Sequence, residues 1–150
     1  MLPAPEIFLP DAAATNAAGH DLGRRLAGAG RLGALPSSFI ITLSGDLGAG
    51  KTTFCQGLGR GLEVEDPAAI VSPTFTLANE YRGPVDIFHL DLYRLESPRE
   101  FAEAGLEDYL DRPGLIVVEW PEKMPPDFWP AGRLALGLFF QGAGRLLRII

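Results

Sequence analysis

Residues 45–52 read Gly-Asp-Leu-Gly-Ala-Gly-Lys-Thr, and this octapeptide matches the phosphate-binding loop pattern G-x-x-x-x-G-K-[ST] at every defined position. In such a loop the glycines let backbone N–H groups point at phosphate oxygens, the lysine reaches the outer phosphates, and the hydroxyl ligates Mg²⁺. The pattern predicts a nucleotide site built from Asp46, Leu47, Gly48, Ala49, Gly50, Lys51, Thr52 and Thr53. The chain has only two lysines against 11 arginines, so a lysine in the slot that needs a compact ammonium argues against a chance match.

The flanking segments supply the strand and the helix that the loop requires. Residues 39–43 form a β-branched and aromatic run that is typical of a buried strand. From Thr52 to Leu62, apolar residues recur at positions 54, 58 and 62, which places them on one face of a helix. A strand, a glycine-rich loop and a helix together make the P-loop unit, and the helix N-terminus favours a bound phosphate.

Length, charge and cysteine content limit the function classes. A chain of 150 residues is expected to form a single domain with one core. A net charge of −6 argues against a stand-alone nucleic-acid binder, because phosphate backbones are bound through clustered Lys and Arg. The single cysteine, Cys55, excludes an internal disulfide and fits a reducing compartment. With no leader pattern and no apolar stretch of membrane length, we expect a cytoplasmic protein that does not contact a membrane.

The rest of the chain alternates between strand and helix patterns. Residues 7–9 read as a first strand, and residues 11–26 as a helix that ends at the glycines of 28–30. Ser97-Pro98-Arg99-Glu100 is a capping-box pattern that predicts a helix of roughly 13 residues. Extended segments are predicted at 69–71, 75–81, 85–92, 115–118, 133–140 and 146–150, with a turn at 82–84 and a loop at 121–130.

These elements predict an α/β fold of three layers that resembles the P-loop NTPases. We expect a mixed, mostly parallel sheet with helices on both faces and a C-terminal antiparallel hairpin.

Two carboxylates follow apolar strands of this predicted sheet. Asp91 comes after Ile87-Phe88-His89-Leu90, and Glu119 comes after residues 115–118. Ligands of open α/β sheets bind beyond the carboxyl ends of the strands, and Mg²⁺ bound with ATP uses one or two carboxylates. A solvated acid at the end of a strand is the alternative interpretation of each.

Three further residues are weaker candidates. Thr74, in Ser72-Pro73-Thr74-Phe75, is a hydroxyl that could sense Mg²⁺ or the γ-phosphate, although Ser-Pro-Thr is more often a simple turn. Trp120 directly follows Glu119 and could line the site. His89 lies inside a predicted strand, where packing against the core is the more common role.

Four sequence blocks, in this order, resemble one family. They are Gly-Asp-Leu-Gly-Ala-Gly-Lys-Thr-Thr-Phe at 45–54, Ser-Pro-Thr-Phe-Thr-Leu at 72–77, His-Leu-Asp-Leu-Tyr-Arg-Leu at 89–95 and Val-Glu-Trp-Pro-Glu at 118–122. The combination is similar to the TsaE family of small bacterial ATPases in tRNA threonylcarbamoyladenosine biosynthesis, over roughly residues 7–150.

The resemblance implies an ATPase that acts with the TsaB and TsaD proteins on the adenosine beside the anticodon of tRNAs that read ANN codons. It also assigns Lys51 and Thr52 to phosphate and Mg²⁺, and it assigns Thr74, Asp91, Glu119 and Trp120 to the nucleotide site. The residues that contact adenine stay unassigned. Because the chain is acidic, tRNA is expected to be held by the partners rather than by this protein.

The predicted chemistry is hydrolysis of ATP with Mg²⁺. Lys51 stabilises charge on the phosphates, Thr52 and Asp91 position the metal, and Glu119 orients the attacking water. The two carboxylates could exchange roles, so Glu119 is also a candidate metal ligand. ATP is favoured over GTP because no Asn-Lys-x-Asp segment occurs. Two alternatives remain: a regulatory nucleotide-sensing module without useful turnover, and a small-molecule kinase, which would need an acceptor site and usually an arginine-bearing lid.

Overall fold

The computed structural model describes residues 5–31, 33 and 35–150. Ten helices and strands occur in these ranges: β1 (Glu6–Leu9), α1 (Ala12–Arg31), β2 (Ser38–Ser44), α2 (Lys51–Gly61), β3 (Ala78–Tyr81), β4 (Ile87–Asp91), α3 (Arg99–Glu103), β5 (Gly114–Glu119), β6 (Leu134–Gln141) and β7 (Gly144–Ile149). Short 3₁₀ turns cover Pro67–Ala69, Leu106–Asp111 and Pro121–Lys123. No helix in the described ranges is both long and apolar enough to cross a membrane.

In the described part of the chain the strands form one seven-stranded sheet in the order β1-β7-β6-β2-β5-β4-β3. The four central strands, β6, β2, β5 and β4, are parallel to one another, whereas β1, β7 and β3 pair antiparallel at the two sides. The predicted fold class is therefore confirmed, including the closing hairpin of β6 and β7. Because β2, β4 and β5 run in one direction, their carboxyl ends meet at the same edge of the sheet.

Two hydrophobic clusters cover the two faces of the sheet and make the three layers. Helices α1 and α2 pack on one face, where Phe54 and Leu58 of α2 meet Ile41, Leu43 and Val117. On the opposite face, α3 and the 3₁₀ turns Leu106–Asp111 and Pro121–Lys123 enclose a second cluster. It is made from alternate strand residues and from aromatic side chains outside the strands: Ile40, Phe88, Leu90, Ile116, Val118, Phe101, Trp129 and, at its margin, Phe128. Alternation along each strand thus sends Asp91 and Glu119 to the face that carries the P-loop helix.

Helices α1 and α2 approach each other through glycines. A Cβ atom added at Gly23 would lie 2.5 Å from the carbonyl oxygen of Leu58 and 3.0 Å from Cα of Gly61. Cβ atoms added at Gly19 or Gly57 would likewise collide with backbone atoms of the other helix. Backbones this close leave no room for any side chain at the contact, so these glycines are required by packing.

The expectation that α1 ends at the glycines of 28–30 is wrong, because the helix continues to Arg31. Leu22 and Leu26 pack against the core cluster beside α2. This tertiary packing keeps the helix intact through glycines that, in isolation, disfavour it by about 1 kcal/mol each.

The predicted helix of roughly 13 residues after Ser97 is also wrong. Helix α3 has only five residues, and Gly105, in the left-handed region at φ 74°, separates it from the 3₁₀ turn that follows. The expected capping box is absent in the described structure: Glu100 Oε2 accepts a hydrogen bond from the backbone N–H of Glu96, at 2.8 Å, instead of reaching Ser97. Gly105 is the stop signal that the sequence reading overlooked.

Two extended segments were placed incorrectly as well. Of residues 75–81, only Ala78–Tyr81 is a strand, because residues 74–76 form a turn and Leu77 adopts φ 66°. Of residues 69–71, Ala69 belongs to a 3₁₀ turn and the other two are not paired with the sheet. The segment between α2 and β3 is therefore an irregular loop, and it runs beside the P-loop.

Candidate active site

The P-loop turns tightly between β2 and α2. Gly45 has φ 156°, and a Cβ atom there would lie 2.6 Å from the carbonyl oxygen of Leu138. Gly50 has φ 101° and directly precedes the first residue of α2, Lys51. The unpaired N–H groups of the first turn of α2 consequently open onto the loop, which is the arrangement that favours bound phosphate.

Lys51 is enclosed by the loop and by an aromatic ring. Its side chain is largely buried, its Nζ donates to the carbonyl oxygen of Gly45, and the Nζ lies 4.1 Å from the centroid of the Trp120 ring. Burial lowers the pKa of Lys51, although the nearby carboxylates of Glu119 and Asp91 oppose that shift. The ammonium thus lies at the mouth of the loop, where its contacts in the described structure are the Gly45 carbonyl oxygen and the face of the Trp120 ring.

Trp120 is held in an uncommon backbone conformation. It adopts φ 57° and ψ 47°, the left-handed region, which is costly for a bulky residue and more so before a proline. Its ring centroid lies 5.0 Å from that of Tyr93. The two rings form one wall of the site, and backbone strain of this kind is concentrated at functional sites.

Asp91 and Glu119 end two adjacent parallel strands and are paired directly in register. Both residues are buried, at 4% and 1% exposure. Asp91 Oδ1 accepts a hydrogen bond from the backbone N–H of Tyr93, at 2.9 Å. Burial raises the pKa of Asp91, partly offset by that hydrogen bond and by the nearby cations.

Glu119 is bound by two neighbours through one oxygen. Ser72 Oγ donates to Glu119 Oε2 at 2.9 Å, and His89 Nε2 lies 2.6 Å from the same oxygen. Burial of the carboxyl opposes ionisation, but the hydrogen bonds from His89 and Ser72 and the charge of His89 outweigh it, so the pKa of Glu119 is lowered. Burial likewise disfavours the imidazolium, yet its contacts with Cys55 and Glu119 raise the pKa of His89. At neutral pH Glu119 is therefore ionised.

Ser72 also connects Glu119 to the P-loop helix. Its Oγ lies 2.5 Å from Thr52 Oγ1, so the hydroxyl expected to ligate Mg²⁺ is linked through Ser72 to the Glu119 carboxylate. Thr74 lies two residues further along the same loop and lines the same cleft. Ser72 could not be assigned to the site from the sequence, because a serine that precedes a strand carries no spacing signal of its own.

These residues line one cleft of about 450 Å³ at the carboxyl edge of the sheet. The structure brings together there nearly all of the predicted site residues: Leu47, Gly48, Ala49, Gly50, Lys51, Thr52, Thr53, Thr74, Asp91, Glu119 and Trp120. Asp46 is the exception, since it is exposed and contributes its carbonyl oxygen to a turn with Ala49. Ser72 and Tyr93 complete the lining.

A second, smaller cleft of about 200 Å³ lies on the other side of the P-loop. It is bounded by the start of α1 and by the turn between β6 and β7. Arg145 in β7 donates hydrogen bonds to the carbonyl oxygens of Ala49 and Gly48, at 3.1 and 3.0 Å, and its guanidinium lies over the ring of Phe140. No sequence signal distinguished this arginine, because its contact with the loop spans almost a hundred residues.

No group of three or more His, Cys, Asp or Glu side chains forms a metal cage within the described residues. A hydroxyl and two carboxylates converge instead, from Thr52, Asp91 and Glu119. All three offer oxygen donors, the type that Mg²⁺ prefers, and Mg²⁺ held together with a nucleotide keeps several waters and needs only one or two carboxylates.

The strand–loop–helix unit, the parallel central strands and the converging carboxylates define a P-loop NTPase-like α/β protein. A search of solved structures agrees: the crystal structure of YdiB from Bacillus subtilis superimposes with a TM-score of 0.72 at 26% identity, over 99% of this chain and 86% of that one. The family model described as threonylcarbamoyl adenosine biosynthesis protein TsaE matches residues 9–144. This chain belongs to the TsaE family.

Curated relatives support that assignment. A Nostoc protein named tRNA threonylcarbamoyladenosine biosynthesis protein TsaE is 47% identical over 125 residues, which cover 80% of this chain and 70% of the relative. The Synechocystis protein of the same name is 45% identical over 128 residues, covering 80% and 72%. The Bacillus subtilis protein of that name is 44% identical over 82 residues, which span 54% and 49% of the two chains. Proteins of this family belong to the biosynthesis of threonylcarbamoyladenosine in tRNA.

Proposed function

We propose that this protein is a Mg²⁺-dependent ATPase required for the threonylcarbamoyl modification of the adenosine next to the anticodon, acting in the cytoplasm with TsaB and TsaD. The observation that carries the proposal is the cleft itself. A complete P-loop places Lys51 and Thr52 opposite Asp91 and Glu119, two ionisable side chains at the ends of neighbouring parallel strands. Family membership supplies the pathway.

The P-loop and Lys51 are suited to the phosphates of ATP. The N–H groups at the start of α2 bind phosphate oxygens without reorganising, since the loop already has its tight turns. On binding ATP, the Lys51 ammonium would give up its hydrogen bond to the Gly45 carbonyl oxygen and donate to a phosphate oxygen instead. Because burial disfavours the charge of this ammonium, an anionic partner stabilises it more than a carbonyl oxygen does. The gain is largest for the transition state, where charge on the phosphoryl oxygens is redistributed.

The two carboxylates have different proposed roles, Asp91 at the metal ion and Glu119 at the attacking water. Asp91 has one oxygen held by the Tyr93 N–H and the other free of hydrogen bonds in the described structure, so Asp91 and Thr52 are the residues that would hold a magnesium ion. When bound, Mg²⁺ neutralises charge on the phosphates. Glu119 keeps Oε1 outside its contacts with Ser72 and His89, and this oxygen accepts a hydrogen bond from the attacking water.

The second cleft, on the opposite side of the loop from the acids, is the proposed place for the nucleoside. With the outer phosphate proposed to lie near Asp91 and Glu119, the ribose and base would extend toward the second cleft, which Arg145 and Thr15 line. The guanidinium of Arg145 lies beside the mouth of that cleft and adds positive charge near the inner phosphates.

Partner proteins account for the contact with tRNA. A chain of net charge −6 lacks the excess of Lys and Arg that would release counterions from an RNA backbone. TsaB and TsaD are therefore the proposed route to tRNA. The free thiol of Cys55 is buried, and a chain with this one cysteine is compatible with the reducing cytoplasm.

A regulatory module with negligible turnover is the second candidate, and one observation favours it. Thr52 is hydrogen-bonded to Ser72 and Lys51 to Gly45, so two groups needed for catalysis already have partners inside the protein. Such a site would hydrolyse ATP slowly until partner proteins or the nucleotide exchange those contacts. The kinase alternative has no such support.

The test is phosphate release from ATP by the chain alone, with TsaB and TsaD, and with small-molecule phosphate acceptors. Glu119→Gln should lower turnover by about 10²-fold or more while the dissociation constant for ATP changes little, because it acts on the water. Glu107→Gln, which removes an exposed acid that does not line the cleft, is the matched control and should leave turnover unchanged.

Stimulation by TsaB and TsaD supports the ATPase reading. Measurable nucleotide binding with no phosphate release under any condition would favour the regulatory module, and release that depends on a small acceptor would favour a kinase.

A further inference from the structure

His89 is a buried titratable side chain in the core whose hydrogen-bonding capacity is only partly met within the described residues. It is 1% exposed, in the middle of β4, and its partners are Glu119 Oε2 at 2.6 Å and Cys55 Sγ at 3.9 Å. Its other ring nitrogen, Nδ1, has no hydrogen-bond partner among the described residues. A buried polar atom without a partner is unfavourable, so an aliphatic residue at this position would suit the core better.

The contact with Glu119 gives the histidine a use. An ionised carboxylate only accepts hydrogen bonds, so Nε2 is the donor and its hydrogen points at Oε2. The Ser72 hydroxyl donates to that same oxygen from the loop side. Two donors from different elements thus hold one oxygen of the carboxylate, and the side chain cannot rotate without breaking both bonds.

The result is a carboxylate with one oxygen held and one available. Glu119 Oε1 makes no hydrogen bond within the described part of the chain, and Glu119 lines the cleft. Asp91, on the neighbouring strand, is held differently, through a single backbone N–H. Only Glu119 has a second layer of side chains behind it, the arrangement that orients a group toward a reacting atom.

We propose that His89 is a positioning residue, which, together with Ser72, holds the Glu119 carboxylate so that Oε1 faces the attacking water. The inference rests on the proposed ATPase function and deepens it. His89 itself does not reach the cleft, so it acts through Glu119 and not on the substrate.

The test compares two replacements of the histidine. His89→Leu removes the donor, whereas His89→Gln places an amide N–H at nearly the same reach as Nε2. We expect His89→Leu to lower kcat by about 10- to 100-fold, the usual cost of removing a supporting hydrogen bond, with KM for ATP within about twofold of the wild type. His89→Gln should recover most of the lost kcat. Ile87→Val, two residues away on the same face of β4, controls for general damage to the core.

A double-mutant cycle separates positioning from a structural role. In a Glu119→Gln background, His89→Leu should cause no further loss of kcat, because its effect passes through the carboxylate. Equal fractional losses in both backgrounds, or a His89→Gln variant as slow as His89→Leu, would overturn the inference while leaving the ATPase reading intact. If His89→Leu does not fold, His89→Asn, whose amide is one methylene shorter than that of glutamine and does not reach Oε2, carries the same cycle with the same loss of kcat expected. A wild-type protein without turnover, alone or with TsaB and TsaD, would instead refute the proposed function.

Discussion

The close approach of α1 and α2 predicts that one substitution, Gly→Ala, has opposite effects at two positions of the same helix. Gly23 faces α2, and a Cβ atom there would lie 2.5 Å from the carbonyl oxygen of Leu58, where ordinary contacts begin at 3.4 Å. Around Gly28, five residues further along, no atom of the described residues outside this stretch of α1 lies within 4 Å of the corresponding Cβ position. Both positions are inside α1.

The expected magnitudes come from two competing effects. Alanine is favoured over glycine in a helix interior by about 1 kcal/mol, and this is the only effect expected for Gly28→Ala. At Gly23 the contact is short by about 0.9 Å, and the atoms that must move are backbone atoms of α2. A gap of 0.5–1 Å forfeits roughly a quarter to a half of the dispersion attraction across a contact. We therefore expect Gly23→Ala to reduce the free energy of unfolding by about 1–3 kcal/mol.

Thermal melting and urea unfolding of both variants measure these values. For a domain of this size, 1 kcal/mol corresponds to a change in Tm of roughly 2–4 °C, so Gly28→Ala should raise Tm by about that amount and Gly23→Ala should lower it by roughly 2–12 °C. The urea m-value should stay constant in both, because neither change alters the surface exposed on unfolding. If both variants melt at the same or a higher temperature than the wild type, the helices do not contact each other through glycine and the packing argument fails.

Three shorter predictions concern the cleft. Lys51→Met should abolish phosphate release, whereas its Tm at pH 7 should equal or exceed that of the wild type. Burial lowers the pKa of Lys51, so the charged side chain disfavours folding at that pH. A Tm below that of the wild type would contradict this argument. His89→Gln should reduce the free energy of unfolding most between about pH 4.5 and 6.5, where the His89 imidazolium and the Glu119 carboxylate are both charged. The reduction should become smaller as pH rises through the raised pKa of His89 and as pH falls through the lowered pKa of Glu119. Urea unfolding of the variant and the wild type across pH 4–9 measures the reduction, and a reduction that grows with pH would refute the prediction. Added ADP should change the fluorescence of a Trp129→Phe variant, because the remaining tryptophan, Trp120, lies beside Lys51. A Trp120→Phe variant should not respond, because Trp129 is buried and donates a hydrogen bond to the carbonyl oxygen of Pro121.

Much of the site followed from local patterns. The octapeptide predicts a phosphate-binding loop without reference to the rest of the chain, because its glycines and lysine act within eight residues. Asp91 and Glu119 could be placed at one sheet edge because each ends an apolar run, and parallel strands bring their carboxyl ends together. Their joint presence in the cleft with Lys51, Thr52 and Trp120 is therefore predictable from the sequence.

The errors in secondary structure had a common cause. The glycines at 28 and 30 were read as a helix end, although packing on α2 carries the helix to Arg31. Gly105, in contrast, was passed over inside a predicted helix, yet its left-handed backbone ends α3. Glycine permits both outcomes, and only the surrounding contacts decide between a tolerated helix residue and a stop.

The sequence by itself determined the glycine-rich loop between a strand and a helix, the order of strands and helices around it, and the residue types that the proposed binding of a nucleotide and a hard metal ion requires. Only the tertiary structure decided how these groups are oriented. Ser72 and His89 meet Glu119 across 47 and 30 residues of chain, and these meetings depend on which strands are neighbours and in what register. Local patterns record the preferences of single segments, whereas contacts between distant segments exist only once the sheet order has brought them together.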